Sequence, residues 1–343
     1  VCEFIVKKVK LPFTPSLEVE FTDRERSIKQ VFEWAERGVR LPVVVFGPEG
    51  CGKTSWLRQT SEILRELDYD VIYIDPLRRE FIAYTSVSDV IRKLSEAVAE
   101  AMGVAQLKLA TLSVDLVKEL INTWKRKRVA VLIDDVFQAI GLDKAEMYVK
   151  SVLGLIEHPS TSYESIVAII STSEGLTRDK IGRHRWAELR AMWNMSREGF
   201  SELYEVLKRV LSNMPSFDDV WLLTGGNPAL FSRLCQVNWS VDTIVYALIE
   251  DNGITPSFTS KWRSWLEKAV EDPDILWSPD TPRELIDELV EKNLIVYNMH
   301  RRLEYRWIDT PPPERDLALG IGRYVAWQTP LHREAVKRAL RES

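Results

Sequence analysis

Val43-Val44-Val45-Phe46 runs directly into Gly47-Pro48-Glu49-Gly50-Cys51-Gly52-Lys53-Thr54, and a helical pattern starts at Ser55. An apolar β-branched run that ends in G-x-x-x-x-G-K-T and opens a helix is the strand–loop–helix setting of a phosphate-binding loop, or P-loop. Gly47, Gly50 and Gly52 permit positive φ and close backbone approach to a ligand. The N–H groups of the loop then converge on phosphate oxygens, helped by the dipole of the helix that follows. Lys53 brings a point charge to the β- and γ-phosphates, and Thr54 a hydroxyl for Mg²⁺. The expected ligand is a nucleoside triphosphate with Mg²⁺, held by Gly47, Pro48, Glu49, Gly50, Cys51, Gly52, Lys53, Thr54 and Ser55.

The 343 residues suggest two or three domains, and 45% hydrophobic with 28% charged residues is the balance of an ordinary globular chain. A net charge of −5 provides no global basic field for nucleic acid. Cys2, Cys51 and Cys235 lie too far apart in sequence for a C-x-x-C pair, and a reducing cytoplasm is the expected setting. No apolar run is long enough to span a bilayer, so no membrane partner is expected.

Further strands are expected at Asp70–Asp75, Val129–Ile133 and Ser165–Ser171, with a short one near Glu188–Trp193. Helices are expected at Ser88–Met102, Ser113–Lys125 and Lys144–Ile156, the last with Asp143 and Glu146 as a capping box. Apolar strands alternating with helices predict a parallel sheet covered on both faces. Ligands bind such sheets at the carboxyl ends of the strands. Those ends carry the P-loop, Asp75, Asp134-Asp135 and Ser171-Thr172-Ser173. From Ser196, which can cap a helix over Arg197–Leu211, the pattern becomes helical to about Glu250. A helix at Phe258–Val270, a second capped by Thr281-Pro282-Arg283-Glu284, and strand-like runs at Leu294–Tyr297 and Leu303–Ile308 predict a winged helix with a β-hairpin. Pro311-Pro312-Pro313 then leads a tail with a basic helix near Leu331–Leu340. The domains expected are a core over 1–195, a helical lid over 196–255, a winged helix over 256–310 and the tail over 311–343.

Val129–Ile133 ends in two acids. Asp134 is expected to hold Mg²⁺ with Thr54, and Asp135 to polarise the attacking water beside Lys53. Thr172 and Ser173 are placed to contact the γ-phosphate or that water.

Four segments resemble the archaeal ATPase branch of the STAND class of P-loop NTPases, within the AAA+ lineage: Phe21-Thr22-Asp23-Arg24-Glu25, Gly47–Thr54, Leu132–Asp135 and Thr224-Gly225-Gly226-Asn227-Pro228. The layout is also similar to archaeal origin-recognition ATPases. The resemblance implies a parallel-sheet α/β P-loop core with a helical lid and a C-terminal winged helix. It implies ATP/ADP as ligand, Arg24 beside the base, Pro228 against the adenine, and nucleotide used as a switch. The family usually carries Glu where this chain has Ser27.

A γ-phosphate transfer site usually also carries an arginine. Arg178, Arg183, Arg185, Arg190 and Arg233 are the candidates, with His300 as a further phosphate-sensing group. The readout is expected to be a protein partner or self-association. An alternative is a DNA-binding initiator acting through Arg301, Arg302 and Arg306 in the wing, although the helix at Arg283–Lys292 is acidic where a groove-reading helix would be basic. A third reading is a nucleotide-binding scaffold that does not hydrolyse.

Overall fold

The computed structural model describes residues 7–99, 104–159, 162–173, 178 and 181–343. The chain forms two compact units. The first holds the residues up to Val9, Glu25–Phe46 and Lys53–Arg190; the second holds Lys10–Arg24, Gly47–Gly52 and Ala191–Ser343.

The first unit is built on a mostly parallel sheet. Its strands are β3 (Val43–Phe46), β4 (Asp70–Asp75), β5 (Glu80–Tyr84), β6 (Arg128–Ile133), β7 (Ser165–Thr172) and β8 (Glu188–Met192), in the order β8-β3-β7-β6-β4-β5. β3, β7, β6 and β4 run parallel, with Phe46 opposite Thr172 and Ile133 opposite Ile170. β3 and β7 are buried along their whole length, which is why their sequences are continuous apolar runs rather than alternating ones. α1 (Glu25–Arg37), α2 (Lys53–Glu66) and α4 (Val104–Asn122) pack on this sheet, and α3 (Ser88–Ala99) packs on α4. β5 runs antiparallel to β4 and was not foreseen. It stands at the edge of the sheet with only one side paired, and its residues are half-buried or exposed where those of β3 are buried.

Two helix ends differ from expectation. α6 (Leu142–Glu157) starts at a Gly141 cap with no side-chain capping bond, which places Asp143 in the first turn instead of at the cap. A short helix, α5 (Val136–Ile140), precedes it. The expected helix Ser88–Met102 is described as far as Ala99, and residues 100–103 lie outside the described set.

The second unit begins with the hairpin β1 (Lys10–Thr14) and β2 (Leu17–Glu20). Phe13 packs edge-on against Phe231, 5.4 Å between ring centroids, in an aromatic core with Phe200 and Tyr204. That core is supplied by α7 (Arg197–Lys208), α8 (Phe217–Thr224) and α9 (Pro228–Gln236). Ser196 caps α7 as expected, accepting the Gly199 N–H at 3.0 Å. A second core runs from Leu234 of α9 through α10 (Val241–Asp251), α11 (Pro256–Glu271) and α12 (Arg283–Glu291) to α13 (Pro330–Glu342). Helices expected in the lid, in the winged helix and in the tail therefore share one apolar interior.

The expected hairpin does not form. β9 (Ile295–Val296) pairs antiparallel with β11 (Ala326–Trp327), and β10 (Trp307–Ile308) pairs in parallel with Ala191 and Met192, which like it belong to the second unit. A two-residue strand has too little pattern to specify its partner from sequence. The helix expected near Leu331–Leu340 is α13, and its Leu331, Ala335 and Val336 are buried in the second core. Thr281 does not cap α12. Its hydroxyl donates to the Ile275 carbonyl at 3.0 Å, and the cap position is Pro282.

His332 in α13 is fully buried beside Thr329, with Oγ1 to Nδ1 at 2.7 Å. Burial, with Arg233 adding positive potential, pushes its imidazole down to about 4. The unfolded chain takes up that proton below about pH 6.5. The contribution of neutral His332 is thus complete above pH 6.5 and is lost as pH falls toward 4. The stability advantage of the wild type over His332→Gln is expected to shrink by about 3 kcal/mol between pH 7 and pH 4. Urea titrations of both proteins across that range check it; a constant difference contradicts it.

Candidate nucleotide-binding site

Within the first unit the carboxyl ends of β4 and β6 bring three acids together, with Ser171 and Ser173 at the end of β7 beside them. Asp134 follows β6 and is completely buried. Its Oδ2 accepts from the Tyr73 hydroxyl at 3.2 Å, and its Oδ1 accepts from the Ser171 hydroxyl. Asp135 stands in the left-handed region, φ 43° and ψ 34°, and its Oδ1 accepts from the Ser173 N–H at 3.0 Å and Oγ at 3.4 Å. Asp75, at the end of β4, accepts from the Arg78 N–H at 3.0 Å. Burial and the neighbouring Asp134 charge push Asp135 up to about 6, while Lys53 and the Ser173 N–H pull it down. Asp75 is raised as well, first by burial and then by Asp134. Three carboxylates crowded on one edge and partly offset by Lys53 make a site that a cation would relieve.

Among the described residues no group of three or more His, Cys, Asp and Glu could hold a metal alone. The Asp134 carboxylate and the Thr54 hydroxyl suit Mg²⁺, which is usually bound through one or two protein oxygens, substrate phosphates and water. Thr172 is buried at the end of β7. Ser171 was expected at this edge with Thr172 and Ser173, but its bond to Asp134, and Tyr73 altogether, were missed. The signal for Ser171 was available: parallel pairing of Ile133 with Ile170 places the next residues, Asp134 and Ser171, side by side. Tyr73 read only as one apolar residue in a buried strand.

Within the second unit, residues 47–52 of the P-loop are held by distant parts of the chain. Gly50 and Gly52 have φ of 73° and 103°, a region that disfavours any side chain. Gly47 is required for a different reason: a Cβ there would lie 1.9 Å from the Met192 carbonyl oxygen. The turn Thr224–Pro228 lies against the loop. Gly225 ends α8 in the left-handed conformation, Asn227 caps α9 through the Leu230 N–H at 3.0 Å, and Pro228 is its first helical residue. The Asn227 Nδ2 donates to the Glu49 carbonyl at 2.8 Å, and the Ala229 N–H reaches the Gly50 carbonyl at 3.4 Å.

Arg24 is buried with φ 71°. Its guanidinium donates to the Cys51 carbonyl at 2.8 Å and the Trp193 carbonyl at 2.9 Å, and pairs with Asp309 at 3.2 Å. The structure thus brings Arg24 to the P-loop backbone. Asp309→Ala removes one partner of a buried ion pair, and is expected to destabilise the protein by about 3–5 kcal/mol. Arg24→Ala/Asp309→Ala together are expected to cost less than the sum of the single changes. Denaturant titration of the four proteins checks this; additivity contradicts it.

The candidate arginines are dispersed. Arg190 pairs with Glu188 at 2.7 Å and lies over Trp34, Arg178 lies over Phe46, and Arg233 pairs with Asp251 at 3.2 Å. Arg183 and Arg185 lie in the segment before β8. Arg302 is half-buried and donates to the His300 carbonyl at 3.0 Å and the Gly322 carbonyl at 3.0 Å, so it braces the loops around it. Arg306 lies over Tyr305.

A mostly parallel sheet with a glycine loop opening α2 and acids at the neighbouring strand ends defines a P-loop nucleotide-binding domain. The family of ATPase domains found predominantly in Archaea matches residues 21–234, more than half of the chain, and the chain belongs to that family. No curated protein matches it. Among solved structures it is similar to AMPPCP-bound DnaA from Aquifex aeolicus, with 14% identity over 77% of this chain and 75% of that one and a TM-score of 0.36. It is also similar to Cdc6p from Pyrobaculum aerophilum, with 14% identity over 97% and 99% and a TM-score of 0.42. A third is the Aeropyrum pernix Orc1 protein in complex with DNA, with 14% identity over 96% and 95% and a TM-score of 0.38. Among the described residues no helix is long and apolar enough to cross a membrane.

Proposed function

We propose that this chain is a Mg²⁺-dependent ATPase of the STAND type, in which the nucleotide state sets the arrangement of the domains and the binding of a protein partner or of a second copy. One observation carries the switch reading: the loop expected to cradle phosphates is hydrogen-bonded through Glu49 to the turn that starts α9. A change of phosphate occupancy at such a loop has a direct route to the lid. In this reading Gly47–Ser55 bind the phosphates, and Thr54 and Asp134 hold Mg²⁺, whose charge offsets that of the phosphates. Asp135 orients the attacking water, Thr172 and Ser173 stand beside it, and Pro228 flanks the adenine. Arg24 acts as a brace for the loop through the Cys51 carbonyl. The helices over 196–255 serve as the lid, and those from 256 onward as the module that reports its state.

The DNA-binding alternative is weakened by the engagement of Arg302 with backbone carbonyls. Small-angle scattering with size-exclusion chromatography tests the proposal. Different profiles with Mg·ADP and with a non-hydrolysable Mg·ATP analogue are expected; identical profiles in both states contradict the switch.

A further inference from the structure

Glu49, the third residue of the P-loop, is held on three sides. Its N–H donates to Gln328 Oε1 at 2.8 Å, its carbonyl accepts from Asn227 Nδ2 at 2.8 Å, and its carboxylate accepts from Asn293 Nδ2 at 2.6 Å. The partners are bonded to one another. Gln328 Nε2 donates to Asn293 Oδ1, Asn227 Nδ2 also donates to Asn194 Oδ1 at 2.9 Å, and Asn194 Nδ2 donates to the Gln328 carbonyl at 3.1 Å. Two closed rings of amides therefore meet at one P-loop residue. Gln328, Asn194 and Asn227 are each at most 3% exposed. Buried amides are stable only while their partners stay in place, so a network of this kind fixes the backbone it encloses. Residues 47–52 of the loop accordingly belong to the same compact unit as Ala191–Ser343.

Gln328 lies between β11 and α13, and Asn293 is the second residue after α12. Both come from C-terminal segments that the sequence reading left outside the nucleotide site. We propose that Gln328 and Asn293 are positioning residues of that site. Gln328 takes up the Glu49 N–H and Asn293 the Glu49 carboxylate. Together they fix the entry of the loop, so that its later N–H groups, through Lys53 and Thr54, are held ready for phosphate. The C-terminal segment is in this way a working part of the phosphate site. The proposal rests on the nucleotide reading above.

Calorimetric titration of the full chain at 25 °C with Mg·ADP and with a non-hydrolysable Mg·ATP analogue tests it. Gln328→Ala is expected to weaken both affinities about tenfold, the order of loss that a misplaced binding group produces. Asn293→Ala is expected to have a smaller effect, and the double variant to lose less than the product of the two, because both act on one ring. Gln328→Glu keeps the acceptor for the Glu49 N–H but loses the donor to Asn293, and should fall between wild type and Gln328→Ala. Melting temperatures recorded in parallel separate a structural role, which lowers melting without moving affinity and overturns the proposal. Unchanged binding in Gln328→Ala overturns it, and so does tighter binding, which would make Gln328 a competitor of the phosphates. Lys53→Ala distinguishes the two levels. If it binds nucleotide like wild type, the nucleotide reading fails. If it does not bind while Gln328→Ala does so normally, only the positioning role fails.

Discussion

Lys53→Ala is expected to abolish measurable Mg²⁺-dependent ATP hydrolysis and to weaken nucleotide binding by about 100-fold or more. The expectation follows from where Lys53 stands. It is the first residue of α2 and is buried to 5% exposure. Its charge reaches the acids at the ends of the neighbouring strands and lowers the pKa of Asp135. An ammonium held in a poorly solvated position interacts far more strongly with phosphate than one in water. It also offsets carboxylates that would otherwise repel the nucleotide. Removing it thus subtracts attraction and leaves repulsion unbalanced. Titration with a fluorescent ATP analogue and a phosphate-release assay measure the two effects. Hydrolysis retained within a fewfold of wild type would place catalysis elsewhere in the molecule.

Asp134→Asn is expected to be as damaging to turnover, at least about 100-fold, and to act through the metal. Its two signatures differ from those of Lys53→Ala. Binding of metal-free ATP should be retained or improved, because a negative charge has left the site, while the gain in affinity on adding Mg²⁺ should vanish. The fold should not suffer. Asp134 raises the pKa of both Asp135 and Asp75, so neutralising it relieves repulsion among buried acids. An asparagine can still accept from Ser171 or Tyr73. The melting temperature is expected to equal or exceed that of wild type. A lowered melting temperature with an unchanged Mg²⁺ response would make Asp134 a structural residue.

What could be read along the chain was what is local. The P-loop and Asp134-Asp135 are each one strand and one turn, and their chemistry is written in consecutive residues. The four parallel strands β3, β4, β6 and β7 were legible because burial on both faces makes each an unbroken apolar run. The Ser196 cap was legible because capping acts over three residues. Contacts across long sequence separations were not. Arg24 meets Asp309 across 285 positions and Glu49 meets Gln328 across 279, and no periodicity or spacing encodes such a pairing. The expected hairpin failed for a related reason. Leu294–Tyr297 is an apolar run and Leu303–Ile308 alternates, both strand-like, yet each offers only two residues to a ladder. Their partners were decided by which other short segments the fold brought alongside. Arg301, Arg302 and Arg306 looked alike as a basic cluster, and only the carbonyls around Arg302 set it apart.

In the proposed switch, the phosphate occupancy of the P-loop is transmitted to the turn Gly225–Pro228 and to α9. Hydrogen–deuterium exchange of the full chain, loaded in turn with Mg·ADP and with a non-hydrolysable Mg·ATP analogue, measures this most directly. A difference between the two states is expected at residues 47–54 and also at residues 225–236. A difference confined to residues 47–54, with exchange in 225–236 the same in both states, would contradict it.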